Sequence, residues 1–245
     1  MRRFLTLAFV STILLSCGSN DSFVIDGYAE SADDGDTITL AYSSDGKQIA
    51  ITDRAIVKNH RFRFEGKTEK GRIFYIGHKK NGQQLYTLFF LEKGNISANI
   101  GKEICRIGGT PLNDLYNSAT DSIRHYTKEL DSTRYRIKCD NRPFGCNMEE
   151  HCLSGFNVQS RMTEYIRSAI NGNIDNVFGL YMLVVYNSLF DADEFSRIAG
   201  NIPEENIDRE NNRLYDIIME IKNDRQSPEN IEDVMNAAND VYYFH

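Results

Sequence analysis

Four cysteines, Cys105, Cys139, Cys146 and Cys152, are the residues of this chain whose type best suits them to chemistry, and their spacing decides which chemistry is open. In an oxidising compartment an even number of thiols points to disulfides, and four allow three connectivities that sequence alone leaves open. Cys139, Cys146 and Cys152 flank the turn-rich stretch Arg142-Pro143-Phe144-Gly145, where a bridge would stiffen a loop with little core of its own. Free thiols are the alternative in a poorly oxidising compartment. His151 adds a fourth soft ligand to this segment, but structural zinc sites usually contain a pair two to four residues apart, and adjacent His151 and Cys152 project about 100° apart on a helix. No metal is expected. The closest thiols, Cys146 and Cys152, are too far apart in sequence for Cys-x-x-Cys, and Cys-x-x-Cys-His, which would hold a c-type haem, is absent.

The other reactive side chains are no better placed. His60, His78, His125, His151 and His245 are scattered, none stands with Ser or Cys in a nucleophile motif, and they read as solvated surface residues. Asp33-Asp34, Glu149-Glu150 and Glu204-Glu205 read as turn charges and helix-start charges that complement the helix dipole. Asp33-Asp34-Gly35-Asp36 lacks the later bidentate Glu of a calcium loop, and Gly108-Gly109 lacks the lysine of a phosphate loop. No catalytic residue and no cofactor follow from these patterns. Tyrosine is frequent at 13 residues while tryptophan is absent. Sugar-binding surfaces usually stack their ligand on tryptophan or clustered tyrosine, which lowers that reading without removing it. The apolar tail Val241-Tyr242-Tyr243-Phe244-His245 must dock or bind something, and its own helices are the simplest surface for it.

Cys17 is of a different kind. Arg2 and Arg3 start the chain, residues 4–15 form an apolar run of secretory-signal length that is too short for a permanent span, and Leu14-Leu15-Ser16-Cys17 follows. Leu three residues before a cysteine, with a small residue between, resembles the lipobox of bacterial lipoproteins. That resemblance implies cleavage after residue 16, acylation of Cys17 and a lipid-anchored place in the bacterial cell envelope, on a periplasmic or surface face. Each buried methylene contributes roughly 0.8 kcal/mol, and the several chains of a lipoprotein suffice for stable anchoring.

The net charge of −7 becomes more negative once Arg2 and Arg3 are removed, and no dense Lys/Arg block remains. Nucleic acid is therefore not an expected partner. No later apolar run reaches the roughly 18 residues of a membrane span; the best, residues 177–189, is broken by Gly179, Asn187 and Ser188. Residues 17–22 are small and polar, as a tether would be.

Two kinds of element must position whatever the chain does. Residues 23–108 alternate with period two between turn signals: Ile38, Leu40 and Tyr42 share one face, and Arg61-Phe62-Arg63-Phe64-Glu65 puts two rings inward and three charges outward. Seven to nine such strands predict an antiparallel β-sandwich or open barrel with a wet face. From residue 109 to 245 the period becomes helical. Leu112, Leu115, Tyr116, Ala119, Ile123, Tyr126 and Leu130 form one stripe, and Met148, Cys152, Phe156, Met162, Tyr165, Ile166 and Ile170 a second. Residues 174–189 read as a central helix, 191–199 as a short one ended by Gly200, and 203–223 and 228–238 as helices opened by proline. The expected architecture is α+β: a signal peptide (1–16), a tether (17–22), a β-sandwich (23–108) and an antiparallel bundle of five or six helices (109–245).

Several short segments carry a family likeness. Phe23-Val24-Ile25-Asp26-Gly27, Phe62-Arg63-Phe64-Glu65-Gly66, Phe89-Phe90-Leu91-Glu92-Lys93-Gly94-Asn95-Ile96, Gly109-Thr110-Pro111-Leu112-Asn113-Asp114 and the helical Asn173-Ile174-Asp175-Asn176-Val177-Phe178-Gly179-Leu180-Tyr181 occur in that order. Together they resemble the β-rich N-terminal domain of unknown function, with its following helices, of thiol:disulfide interchange-like lipoproteins of Bacteroidota-type envelopes. In many relatives the helices lead into a thioredoxin-like domain with a Cys-x-x-Cys pair. This sequence ends at His245 without that pair, so reductase activity does not carry over. The expectation is a non-catalytic binding or scaffolding module for an envelope protein or ligand. The alternative is an accessory redox protein exchanging disulfides with a thioredoxin-like partner, which would require a reactive thiolate at Cys139, Cys146 or Cys152.

Overall fold

The structure, a computed structural model, describes residues 21–139 except 31, 44–48, 69, 70, 81, 82 and 103, together with residues 148–203 and 213–226. Among the described residues eight strands precede five α-helices: β1 (Ser22–Ala29), β2 (Thr37–Ser43), β3 (Ile49–Ile56), β4 (Arg61–Lys67), β5 (Arg72–Lys80), β6 (Gln83–Leu91), β7 (Gly94–Ile100), β8 (Cys105–Gly108), α1 (Pro111–Cys139), α2 (Met148–Asn171), α3 (Val177–Val185), α4 (Ala192–Ala199) and α5 (Arg213–Gln226). The fold is α+β, and its strands make two four-stranded sheets in the orders β4-β1-β7-β8 and β3-β2-β5-β6. We call these the first and second sheets. Ile25, Phe62, Phe64, Ile96 and Ile100 of the first and Ile38, Leu40, Ile76 and Phe89 of the second meet in one buried core, which makes the strands a β-sandwich. The pairing is antiparallel except between β1 and β7, which run parallel. Alternation of side chains is the same in both kinds of pair, so period two did not reveal this one.

Two of the quoted segments explain the centre of the first sheet. Phe23 stands opposite Gly66 and Gly27 opposite Phe62 in the β1–β4 register. Each phenylalanine lies over the other strand's glycine, and a Cβ at Gly27 would collide with the Phe62 ring. The repeated Phe-x-x-x-Gly spacing is thus a reciprocal packing device that pins register, since a shift of one residue would turn both rings to water. Between β3 and β4 the chain passes from the second sheet to the first through Asn59 and His60, both with positive φ (51° and 58°). Lys58 and Arg61 exchange two 2.9 Å backbone bonds around them. That is the geometry of a two-residue hairpin turn of the primed type, in which Asn is favoured.

The second sheet is covered on both faces along β5 and the end of β6, while its edge strand β3 is exposed. Phe89 enters the sandwich core, whereas Phe90 and Leu88 enter a second core with Phe178, Leu180, Ile166 and Ile218 of the helices. The expected wet face runs across the whole first sheet and on the second is confined to β3 and the start of β6. Residues 178–184 of α3 are all buried, which agrees with its apolar sequence on every side. Asn176 caps it by accepting the N–H groups of Phe178 and Gly179. Gly179 is required because the carbonyl of Asn173 occupies the place of a Cβ. The helix ends at Val185, earlier than the expected 189, and Asn187–Leu189 form a 3₁₀ turn. Asp191 caps α4 through the Glu194 N–H, and α5 is described only from Arg213, residues 204–212 and 227–245 lying outside the described residues.

Two sequence expectations fail here. Phe156 is 72% exposed; the buried line of α2 is Val158, Ile166 and Ile170 with Met162 half-buried, and a residue two positions before Val158 lies on the opposite side of a helix. His78 is 5% exposed on β5, where inward alternation with Ile76 buries it, so it is not a solvated histidine. Among the described residues no helix is long and apolar enough to cross a membrane.

Candidate functional site: a polar groove beside a closed joint

Helix α1 closes one side of the sandwich by gripping the edge strands of both sheets. At the edge of β6, the fully buried Asn113 side chain accepts the Phe90 N–H on Oδ1 (2.9 Å) and donates from Nδ2 to the Phe90 carbonyl (2.7 Å). It thereby stands in for a neighbouring strand, and a second Nδ2 bond goes to Thr110 Oγ1 at 2.8 Å. Glu92, just past β6, accepts the N–H groups of Leu112 (2.8 Å) and Asn113 (3.4 Å), satisfying donors that a helix start leaves open. Asp114 accepts the Gly109 N–H at 2.8 Å. Gly109 has φ of 91°, and a Cβ there would meet the Asn95 carbonyl at 2.9 Å. At the edge of β8, Asn117 donates to the Ile107 carbonyl (2.8 Å), and Arg106 pairs with Asp121 at 2.9 Å. The segments around residues 89–96 and 109–114 are thus two halves of one joint.

Beside that joint lies a polar groove of about 690 Å³ between α1 and the outer face of the first sheet. Ser97 and Asn99 of β7 and Arg106 of β8 line one side; Asn117, Ser118 and Asp121 of α1 line the other. Beyond the groove, strand registers continue the outer face of the first sheet in rows. Arg61, Tyr28, Asn99 and Arg106 occupy one, and Arg63, Asp26, Ser97 and Gly108 the next. Arg63 bonds Asp26 at 2.6 Å and Glu65 at 3.3 Å, and these bonds, that to Asp26 first, raise its pKa further. The hydrogen bond from Arg106, with support from Arg124, holds Asp121 below the usual carboxylate range. Tyr28 is 42% exposed and its ring meets that of His60 at 5.9 Å.

Joint and groove differ in how their polar groups are used. Asn113, Asn117, Glu92 and Asp114 bond to the protein itself. Among the described residues, none forms a hydrogen bond with the side chains of Ser97, Asn99 or Ser118, all of which are exposed.

A second set of polar residues belongs to the helical core. The rings of Tyr116 and Tyr181 meet edge to face at 5.9 Å, and burial pushes the phenols of Tyr75, Tyr116 and above all Tyr181 upward in pKa. Arg225 donates to the carbonyls of Phe190 and Asn187 (2.8 Å each) and lies over the Phe195 ring, burial lowering its pKa. These groups tie α3, α4 and α5 together.

Of the cysteines singled out from sequence, Cys105 alone has a described side chain. Cys105 is a half-buried free thiol against the sandwich core. Cys139 and Cys152 fall on α1 and α2, but their side chains, like Cys146 and Cys17 altogether, lie outside the described residues, as do His151's side chain and His245. Asp33 and Asp36 close their own turn, the Asp33 N–H donating to Asp36 Oδ2 at 2.9 Å. Among the described residues no group of three or more His, Cys, Asp or Glu could hold a metal.

No curated protein and no solved structure matches the chain. Residues 23–116 match the profile of a family described as a domain of unknown function (DUF4369). What this chain shares with that family is therefore the sandwich together with the first turns of α1, which clip onto it.

Proposed function

We propose that this protein is a bacterial cell-envelope lipoprotein, anchored through acylated Cys17, whose body is a non-catalytic binding module with the polar groove as its contact surface. The anchor rests on the order of charged start, apolar run and Leu14-to-Cys17 box, and on the likeness to envelope lipoproteins. The single observation that carries the binding reading is the contrast beside α1: joint residues are engaged within the fold, whereas Ser97, Asn99 and Ser118 face outward around a concavity. The site is built for hydrogen bonding, and its titratable members, Arg106, Asp114 and Asp121, are each tied to a protein partner rather than paired with a nucleophile.

The test is alkylation of a Ser118→Cys variant, read by mass spectrometry of its peptide, in intact cells and in purified protein. Occupancy of the groove predicts slower labelling in cells, reversed by purification. Equal rates would remove the binding reading. In parallel, Cys17→Ala should abolish lipid labelling and membrane association; unchanged partition into membranes would remove the anchor.

A further inference from the structure

We infer that the groove and the adjoining outer face of the first sheet take a neutral, polyhydroxylated ligand, a glycan segment, with Tyr28 as its stacking platform and Asn99 as its central hydrogen-bonding group. This rests on the groove being a binding surface. The charges argue first. Asp121 is held between Arg106 and Arg124, Arg63 between Asp26 and Glu65, and Asp114 accepts a backbone N–H. Over the groove and the adjoining rows Arg61, Arg63, Arg106 and Arg124 balance Asp26, Glu65, Asp114 and Asp121, so the surface offers no large net field to select an anion or a cation. It does offer donors and acceptors in alternation, from Ser97, Asn99, Ser118 and the paired Asp and Arg groups.

The β8 and β3 edges argue against a peptide. An extended peptide would add to a sheet edge and place alternate side chains in pockets. The edge of β8 is closed by Asn117 on the Ile107 carbonyl. The edge strand β3 is bulged, its pairing to β2 shifting register between Leu40 and Ala41, and bulged edges resist strand addition. The groove also lacks an apolar side-chain pocket, since its named lining is Ser, Asn, Asp, Arg and Gly.

The aromatic argues for a sugar. A pyranose ring has hydroxyls around its edge and an apolar C–H face, so it needs polar groups beside one exposed ring. Tyr28 supplies that ring: it is 42% exposed and stands in register with Asn99, which lines the groove. Adjacent strands lie about 4.8 Å apart, so a ring on β1 and an amide in register on β7 are close enough to meet one pyranose unit. His60 leans on Tyr28 from the hairpin turn at a 54° interplanar angle and holds its orientation.

The experiment is native electrophoresis of the full-length protein in detergent, through gels containing one of five neutral polysaccharides (an α-glucan, a β-glucan, a mannan, a galactan, a xylan) or acidic polygalacturonate. At least one neutral gel should retard the protein. Tyr28→Ala and Asn99→Ala should each weaken that retention by about tenfold, Tyr28→Phe should retain it, and Tyr42→Ala, on the other sheet, should leave it unchanged. Circular dichroism melting confirms that the variants fold. The inference is overturned if no neutral gel retards the protein, if polygalacturonate alone does, or if retention survives both Tyr28→Ala and Asn99→Ala. Protection of Ser118→Cys in cells without retardation removes the glycan and keeps the binding surface; absence of both removes the two readings together.

Discussion

The two sheets of the sandwich share one core and differ in what covers their outer faces. On the second sheet the outward residues Ile73, Tyr75, Leu88 and Phe90 of β5 and β6 are apolar or aromatic and are packed under helices, leaving only β3 and the start of β6 open. On the first, Asp26, Tyr28, Arg63, Ser97 and Asn99 face water. One face is thus part of the folding core, and the other carries polar groups that the fold does not use. The difference separates residues that determine stability from residues available for function, and it places Phe23, Gly27, Phe62, Phe64 and Phe90 in the first class.

Substitution on each face should expose this difference. Phe90 is fully buried and meets the rings of Tyr116, Phe178 and Tyr181 at 5.7–6.2 Å. Phe90→Ala should destabilise by about 3–5 kcal/mol in denaturant unfolding. Tyr28→Ala, on the wet face, should change stability by about 0.5 kcal/mol or less. Comparable losses would mean that the first sheet's outer face is also structural.

A smaller effect separates joint from groove. Asn113→Ala leaves the buried N–H and carbonyl of Phe90 without partners, for an expected loss of about 2–4 kcal/mol. Asn113→Asp should not rescue it, because a carboxylate cannot donate to the Phe90 carbonyl. Rescue by Asp would show that the carbonyl bond contributes nothing.

The covered face also sets a pH dependence. Burial raises the phenols of Tyr75, Tyr116 and Tyr181 above their value of 10.0 in the unfolded chain. The folded state then holds protons that the unfolded state releases, so stability is fully present below pH 10.0 and falls as pH rises beyond it. Phenolate absorbance near 295 nm should show a late fraction that appears together with unfolding, and Tyr181→Phe should reduce it. Complete ionisation before any loss of helix signal would contradict the burial of this cluster.

Much of the architecture was legible because its causes are periodic. The alternation in Arg61-Phe62-Arg63-Phe64-Glu65 gave strand and face correctly, since burial of Phe62 and Phe64 is the reason the strand forms. The stripe from Leu112 to Ile123 gave the packed side of α1 for the same reason. Phe156 misled because a helix with Gly155 beside an aromatic residue allows two readings of its apolar side, and only packing against α1 and α3 chooses Val158. The groove was not legible from motifs, because Asn99, Arg106 and Ser118 come from three elements and are joined by register and docking rather than by spacing. Its trace was nevertheless present: Asn95, Ser97 and Asn99 alternate with Ile96, Ala98 and Ile100, and Asp114, Ser118 and Ser122 recur every four residues along α1. The segment Gly109 to Asp114, visible in the sequence only as a family likeness, closes the edge of the strands.

The most direct test of this separation is one substitution read in two ways. Asn99→Ala should leave the melting temperature of the purified protein unchanged while bringing the labelling rate of Ser118→Cys in cells up to that of purified protein. A lowered melting temperature with protection intact would show that Asn99 serves the fold and that the groove is not the contact surface.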